Sequence, residues 1–300
     1  MKTVIIFGGF GFVGRHIIRR LAKFGYKIIV PYQRNSNEAK IRFIGNVGQI
    51  IPIKFEDISN EVIINSIKNA DIVINLKTIW DEKYSSFERE IYDFNKYLIK
   101  LIKKDKIFIF FSGLGIEKDH NSKRLEIIAK TEECIKGISN NYSIIRPGII
   151  LGGGDIFIER IVKILKLSLI MPLFGFKDVR FQPVYVDDVA KAIERIIVKN
   201  IIGEHIYELF SPNIYTYREF YSKICNILGF KRLILPMPFL LMKVMVAISS
   251  KTPLKLLTLE QLNLFKNDNI PSKNFKNFSD LDIKPQELNN LLEISIKKYN

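Results

Sequence analysis

KTVIIFGGFGFVGRHIIRRL, residues 2–21, decides the fold. Val4 to Phe7 is an apolar run of the length of a buried strand, and Arg15–Phe24 sets Ile17, Ile18 and Leu21 at helical spacing. Between the two stand Gly8, Gly11 and Gly14, with Phe12 and Val13 inside the turn. A strand, a glycine turn and a helix in that order build a dinucleotide-binding turn. One glycine reverses the chain, one lets backbone N–H groups approach a pyrophosphate, and one lets the helix pack on its strand. The phosphates then lie at the positive end of the helix dipole.

Working outward, apolar strands alternate with amphipathic helices. Strands are expected at Lys27–Val30, Ile50–Phe55, Asp71–Leu76, Ile107–Phe111 and Tyr142–Ile145, and helices at Asn60–Asn69, Phe87–Lys104 and Ser122–Lys136. That pattern predicts an α/β fold, a Rossmann-like doubly wound parallel sheet covered on both faces. Beyond residue 150 the alternation loosens. Helices are expected at Ile156–Lys166 and Val189–Lys199, strands at Phe181–Val186 and His205–Leu209, and mostly helix from Tyr215. The reading is a dinucleotide domain of residues 1–149 with 181–211, and a smaller, mostly helical carboxy-terminal lobe of residues 150–180 with 212–300. Such a lobe closes over the carboxyl ends of the strands, where α/β ligands bind.

The 300 residues carry a net charge of +15, from 46 Lys and Arg against 31 Asp and Glu. Lysine, isoleucine and asparagine are abundant along the whole chain and no basic block forms, so a nucleic-acid function is excluded. The surplus suits acidic partner proteins or anionic lipid surfaces. Cys134 and Cys225 lie far apart, His16, His120 and His205 are scattered, and no metal motif results. No signal peptide is visible, so a reducing, cytoplasmic setting is expected. Leu233–Ile248, LILPMPFLLMKVMVAI, is too short to span a bilayer and is broken by Pro236, Pro238 and Lys243. Core, protein interface and membrane surface stay open for it.

An NAD site usually sets a carboxylate at the end of the second strand, to take the ribose hydroxyls. Here the segment reads Tyr32-Gln33-Arg34, with no carboxylate before Glu38. Arg34 offers a fork of donors to a 2′-phosphate, which favours NADP(H) over NAD(H). Asp57, after the third strand, is a candidate acceptor for the adenine amino group, or a residue of the following helix start.

Taken together, the glycines at 8, 11 and 14, Asp57, Asn75-Leu76, Ser112, Arg146-Pro147 and QPVYVDDVA at 182–190 resemble the short-chain dehydrogenase/reductase superfamily, in its extended and atypical branch. Three stretches narrow the resemblance: residues 7–34, FQPVYVDDVAKAI at 181–193 and above all LTLEQLNLFKNDNIPS at 257–272. They are similar to the subgroup of NADPH-binding accessory subunits of respiratory complex I (alpha-subcomplex subunit 9) and its bacterial relatives.

The resemblance implies a catalytic set of tyrosine, lysine four residues later, strand-end serine and helix asparagine. Ser112, Asn95 and Lys130 match three positions, and Glu126 stands where the tyrosine belongs. A carboxylate beside a lysine is ionised at neutral pH and has no proton for a developing alkoxide. It is expected to pair with Lys130 one turn away. Tyr92 and Lys96 repeat the spacing on the wrong helix. The set is therefore read as degenerate, with Lys130, Ser112, Leu76 and Pro147 kept as cofactor contacts beside the glycine turn. The resemblance makes a catalytically silent NADP(H)-binding accessory or assembly subunit of complex I the leading expectation, cytoplasmic or peripheral on the cytoplasmic face of the inner membrane through that partner complex. The alternatives are a reductase or sugar-nucleotide epimerase using a displaced acid, His120 or Tyr142, and a sensor of the NADP(H) ratio.

Overall fold

The computed structural model describes residues 1–33, 36–116, 122–174, 178–249, 257–272 and 274–296. Seven parallel strands form the central sheet: β1 (Thr3–Phe7), β2 (Lys27–Tyr32), β3 (Ile50–Lys54), β4 (Ile72–Asn75), β5 (Ile107–Phe111), β6 (Tyr142–Pro147) and β7 (Glu204–Leu209). Their order is β7-β6-β5-β4-β1-β2-β3. The order reverses between β1 and β4, where a crevice opens at the carboxyl ends of the strands.

The helices are α1 (Phe12–Lys23), α2 (Glu38–Arg42), α3 (Glu61–Asn69), α4 (Phe94–Leu101), α5 (Lys123–Ile138), α6 (Ile156–Leu167), α7 (Val186–Val198), α8 (Tyr217–Ile227), α9 (Phe239–Ser249), α10 (Leu259–Leu264) and α11 (Leu288–Ile296). Strand residues alternate between two cores because side chains alternate across a pleat. Val4 and Ile6 pack with α1 and α7, through Ile17, Leu21, Val189 and Ile193. Ile5 and Phe7 pack on the opposite face with α3, α4 and α5, through Ile63, Leu98 and Ile128. A third core, in which Leu165, Phe181, Phe220 and Met242 are buried, belongs to the carboxy-terminal region.

Four local readings change. Helix α1 begins at Phe12, not Arg15, so the glycine turn is shorter than its sequence suggests. The strand expected at Phe181–Val186 is two fragments: Arg180–Phe181 pairs antiparallel with Tyr215–Thr216, and Val184–Tyr185 pairs with Ile150–Leu151. Pro183 lies between them and has no N–H for a ladder. Phe87–Lys104 is interrupted by a π-helical turn at Glu88–Asp93 before α4, where the Asn95 side chain donates to the Ile91 carbonyl at 2.6 Å. Finally, Leu233–Met237 is a strand paired in parallel with Ile170–Phe174, not helix. In addition, residues 276–283 return to the sheet, with Tyr207 bridged to Lys276 and Phe278, Leu281 and Ile283 in the α1–α7 core.

At the amino ends of the strands Asp71 accepts the Thr3 N–H at 2.8 Å and pairs with Lys106 at 3.0 Å. The Thr3 hydrogen bond foremost, with Lys106 second, holds its carboxyl below the usual 3.8. A depressed pKa contributes stability above the unfolded value, near pH 4, that is lost as pH falls through the folded value. Asp71→Asn is therefore expected to lower the thermal midpoint near neutrality and to converge with the parent protein in acid. Melting curves from pH 7 to pH 3 check this.

Candidate functional site

The site grows from the first turn. Gly8 is left-handed (φ 78°) and lies against Leu76, whose N–H donates to Phe7 O at 2.9 Å. A Cβ at Gly8 would meet the Leu76 backbone at 3.0 Å. The Gly11 N–H donates to Gly8 O at 3.0 Å, and Gly11 caps α1 with no side-chain hydrogen bond. The first N–H groups of α1 are thus left to an incoming acceptor, the arrangement that receives a phosphate. A Cβ at Gly14 would stand 2.6 Å from Gly9 Cα and 2.7 Å from the Gly8 and Gly9 carbonyl oxygens, so α1 seats only on glycine. The glycine-rich loop 152–154 also closes on this turn. Cβ positions built at Gly152 and Gly154 fall 3.5 Å from the Phe12 ring and 4.0 Å from an Arg15 guanidinium nitrogen. Arg15, absent from the sequence-derived set, is thus a cation between the start of α1 and this loop.

At the ribose end, Tyr32 donates to Glu38, which also takes Arg42 at 2.9 Å. These two bonds hold the Glu38 carboxyl below its ordinary range. Gln33 is exposed and donates to Glu56 O at 3.0 Å. Arg34 lies outside the described residues. Asp57 is exposed and accepts the Ser59 N–H at 2.9 Å, while Asn60 caps α3. The Ser59 bonds lower its carboxyl pKa.

Nearer the sheet centre, Asn75 at the tip of β4 donates to Asn95 at 2.7 Å, which locks α4 to the strand. The Ser112 hydroxyl, at the end of β5, is shielded from solvent and finds no partner among the described residues. Leu114 donates its N–H to Pro147 O at 3.2 Å, so the β5 and β6 tips are tied. This buried free hydroxyl and the uncapped α1 terminus are both groups that a bound dinucleotide would satisfy.

Glu126 and Lys130 do not pair. Lys130 Nζ bonds Glu88 at 2.6 Å and lies 4.0 Å over the Tyr92 ring, on the outer α4–α5 surface. The Glu88 hydrogen bond raises the Lys130 pKa. Glu126 is exposed on the same helix, whereas the inward face carries Arg124, Leu125 and Ile128. Arg124 donates to Ile79 O at 2.9 Å and Thr78 Oγ1 at 2.8 Å, in the loop leaving β4, and stacks 3.9 Å from the Trp80 ring. Burial pushes this guanidinium down to about 10, and Glu260 opposes the shift. Lys96 lies over Tyr92 at 5.5 Å, a surface contact. His120 lies outside the described residues. Tyr142 begins β6, at the opposite end of the strand from the β6 tip, and donates to Glu204 at 3.2 Å. Burial, with Glu204 adding, pushes its phenol up to about 12.

The segment 257–276 supplies what sequence reasoning missed. Ser122, the cap of α5, donates to Glu260 of α10 at 2.5 Å. Asn269 donates to Leu114 O at 3.2 Å, two residues past Ser112. Ser272 donates N–H to Glu208 at 2.8 Å, and Phe275 lies 4.5 Å from the Arg146 guanidinium. Arg146 is buried with Glu132 in a two-bond pair, 3.1 and 2.6 Å, and with Glu208 at 4.0 Å. The strap thus crosses the β5, β6 and β7 tips and the start of α5. QPVYVDDVA joins the same frame: Asp187 bonds His16 of α1 at 2.6 Å, and buried Asp188 accepts Gln286 N–H at 2.8 Å.

Residues 4–116 match the NAD dependent epimerase/dehydratase family. The chain is 29% identical, over 94% of its length and 74% of the relative's, to an Arabidopsis thaliana protein named NADH dehydrogenase [ubiquinone] 1 alpha subcomplex subunit 9, mitochondrial. It is 23% identical, over 99% of its length and 79% of the relative's, to the Neurospora crassa NADH-ubiquinone oxidoreductase 40 kDa subunit, mitochondrial. Among solved structures it resembles the UDP-glucuronic acid 4-epimerase of Bacillus cereus in complex with UDP-glucuronic acid and NAD. There the TM-score is 0.71 at 16% identity, covering 99% of this chain and 100% of the other.

Proposed function

We propose that this chain, whose residues 4–116 form a domain of the NAD dependent epimerase/dehydratase family, is an NADP(H)-binding accessory subunit of respiratory complex I with no turnover of its own. The observation that carries the reading is the strap: from within the same chain Glu260 bonds the Ser122 cap of α5, and Asn269 bonds the Leu114 carbonyl two residues past Ser112. The inward positions of α5 at four-residue spacing are Arg124 and Ile128, neither an acid for a carbonyl oxygen. The names of the two mitochondrial relatives, matched over 94% and 99% of this chain and 74% and 79% of theirs, support the partner. Tyr142, the displaced acid of the enzyme alternative, is at the wrong end of β6 with its pKa raised.

Gly8, Gly11, Phe12, Val13, Gly14 and Leu76 would hold the pyrophosphate and its ribose, with Arg15 adding charge. Gln33, with Arg34, would face the 2′-phosphate, Asp57 the adenine, and Ser112 with Pro147 the nicotinamide end. Bound nicotinamide supplies a hydride donor or acceptor. The residues present bind and orient it, and the strap keeps carbonyl substrates away. Lys130, held by Glu88, is left out of this set. Bound cofactor stabilises the fold by mass action, since only the folded chain binds it.

Residues 1–149 with 181–211 act as the cofactor-holding unit, joined by 276–283. The remaining lobe faces the partner complex. Its exposed Leu167, Leu169, Leu233, Leu240, Leu241 and Ile248 are the surface for that contact. Among the described residues no helix is long and apolar enough to cross a membrane.

Native mass spectrometry of protein drawn gently from its own membranes tests the whole reading. NADPH and complex I subunits retained in one assembly are expected; a free chain without either overturns it. The choice of cofactor has its own test. Gln33→Asp sets a carboxylate where a 2′-phosphate would lie, and is expected to weaken NADPH at least roughly tenfold while sparing NADH. Equal losses for both cofactors, read by titration calorimetry, would reject the NADP(H) assignment.

A further inference from the structure

Two side-chain atoms near the carboxyl ends of the strands are sealed from solvent and have no partner among the described residues: Ser112 Oγ, just past β5, and Asn269 Oδ1, on the strap. The backbone around both is fixed. Asn269 donates its N–H to Arg180 O at 2.8 Å, and its carbonyl accepts the Gln182 N–H at 3.0 Å. Beside it, Asp268 takes three bonds from Arg180, at 2.6, 2.8 and 2.9 Å. Gln182 in turn abuts the β6 tip, where a Cβ built at Gly148 would collide with the Gln182 carbonyl oxygen and stand 3.4 Å from the Leu114 side chain. Ser112 donates its N–H to Ile145 O of β6 at 2.8 Å.

The Asn269 amide has one orientation open to it. Its Nδ2 donates to Leu114 O at 3.2 Å, and a carbonyl oxygen can receive only the nitrogen end. Oδ1 is therefore the end left over, an acceptor in need of an N–H or O–H. The Ser112 hydroxyl, two residues before Leu114, offers one proton and two lone pairs. Buried polar groups of this kind are normally satisfied, and leaving one unpaired is costly.

We propose that Asn269 and Ser112 hold the carboxamide of the nicotinamide ring, Asn269 Oδ1 accepting from its N–H and the Ser112 hydroxyl donating to its carbonyl. The inference rests on the cofactor reading given above and adds to it a ligand group from the strap. A phosphate has no proton for Oδ1. The adenine half belongs with β2 and β3, across the β1–β4 reversal from β5 and β6. The carboxamide carries a donor and an acceptor side by side, which is what these two atoms lack. The strap is then a part of the cofactor site as well as a cover for the strand tips.

The test uses the full-length protein and three ligands, titrated by calorimetry: NADP+, its 3-acetylpyridine analogue, in which a methyl group replaces the amide nitrogen, and 2′-phospho-ADP-ribose, which has no nicotinamide. The analogue leaves Oδ1 buried and unpaired, so it should bind about tenfold more weakly than NADP+. Asn269→Leu should bind the two alike, and Ser112→Ala should weaken both. Neither substitution should change the affinity for 2′-phospho-ADP-ribose, which reports folding of the site in each variant. The comparison in the parent protein needs no substitution and decides the matter if a variant fails to fold. Hydrogen exchange is a second readout: NADP+ should slow the backbone amides of residues 266–272 more than 2′-phospho-ADP-ribose does. Equal binding of NADP+ and its acetyl analogue by the parent protein overturns the carboxamide contact and leaves the cofactor reading intact. Undiminished discrimination in Asn269→Leu overturns the role of Asn269. Failure of all three ligands to bind overturns the cofactor reading and this inference with it.

Discussion

Gly14→Val is expected to remove the proposed NADPH binding. The expected affinity loss exceeds roughly a hundredfold, the equivalent of two charge-assisted hydrogen bonds. The reason is steric and falls on backbone. The first added carbon would stand 2.6–2.7 Å from Gly9 Cα and from the Gly8 and Gly9 carbonyl oxygens, none of which swings aside as a side-chain tip would. Helix α1 must move off the β1 turn, and the N–H groups of Phe12 and Val13 move with it. Overpacking of this kind also destabilises a fold by about 1–3 kcal/mol. Gly137→Ala is the matched control. A Cβ there meets nothing within 4 Å, and the site is inside α5. It should leave NADPH affinity unchanged and stabilise by about 0.5–1 kcal/mol, as alanine does for glycine in a helix. Calorimetric titration with NADPH, beside melting curves without it, separates the two effects. Unaltered binding in Gly14→Val would remove the glycine turn from the site.

The largest stability loss is expected at Glu132. Its carboxylate takes two bonds from Arg146 with both side chains almost sealed from water, at 2% and 3% exposure. Glu132→Ala strands the guanidinium, and breaking one side of a buried pair typically costs about 3–5 kcal/mol. Glu208 is the only other carboxylate paired with Arg146 among the described residues, at 4.0 Å, and it is already engaged by Ser272. Glu132→Gln keeps an acceptor in place and should lose less. Urea denaturation measures both. A loss below about 1 kcal/mol for Glu132→Ala would mean that Arg146 is repartnered and that the pair does not hold β6 to α5.

What could be read from the sequence was local. The glycine turn, the strand–helix alternation and the parallel sheet follow from spacing within a few residues, because steric demand at a turn and burial on both faces leave marks there. The facing of α5 did not. Glu126 and Lys130 are one turn apart, but the choice between Glu126 and Glu88 depends on the helix packed alongside. Leu233–Met237 falls in a stretch read as mostly helix, since an apolar run has no period to correct that reading; its partner strand, Ile170–Phe174, makes it a strand. The contact of Asn269 with Leu114 spans 155 positions and has no local signature at all. The segment 257–272 was nevertheless singled out by its resemblance to one subgroup, and it is this segment that lies over the strand tips.

That strap also sets an order of events during synthesis. Domains form as their residues leave the ribosome, and all seven strands of the sheet are complete by Leu209. Glu208 and the Leu114 carbonyl then wait for Ser272 and Asn269, more than fifty residues downstream. For that interval the nascent sheet has its glycine turn in place and its strand tips uncovered.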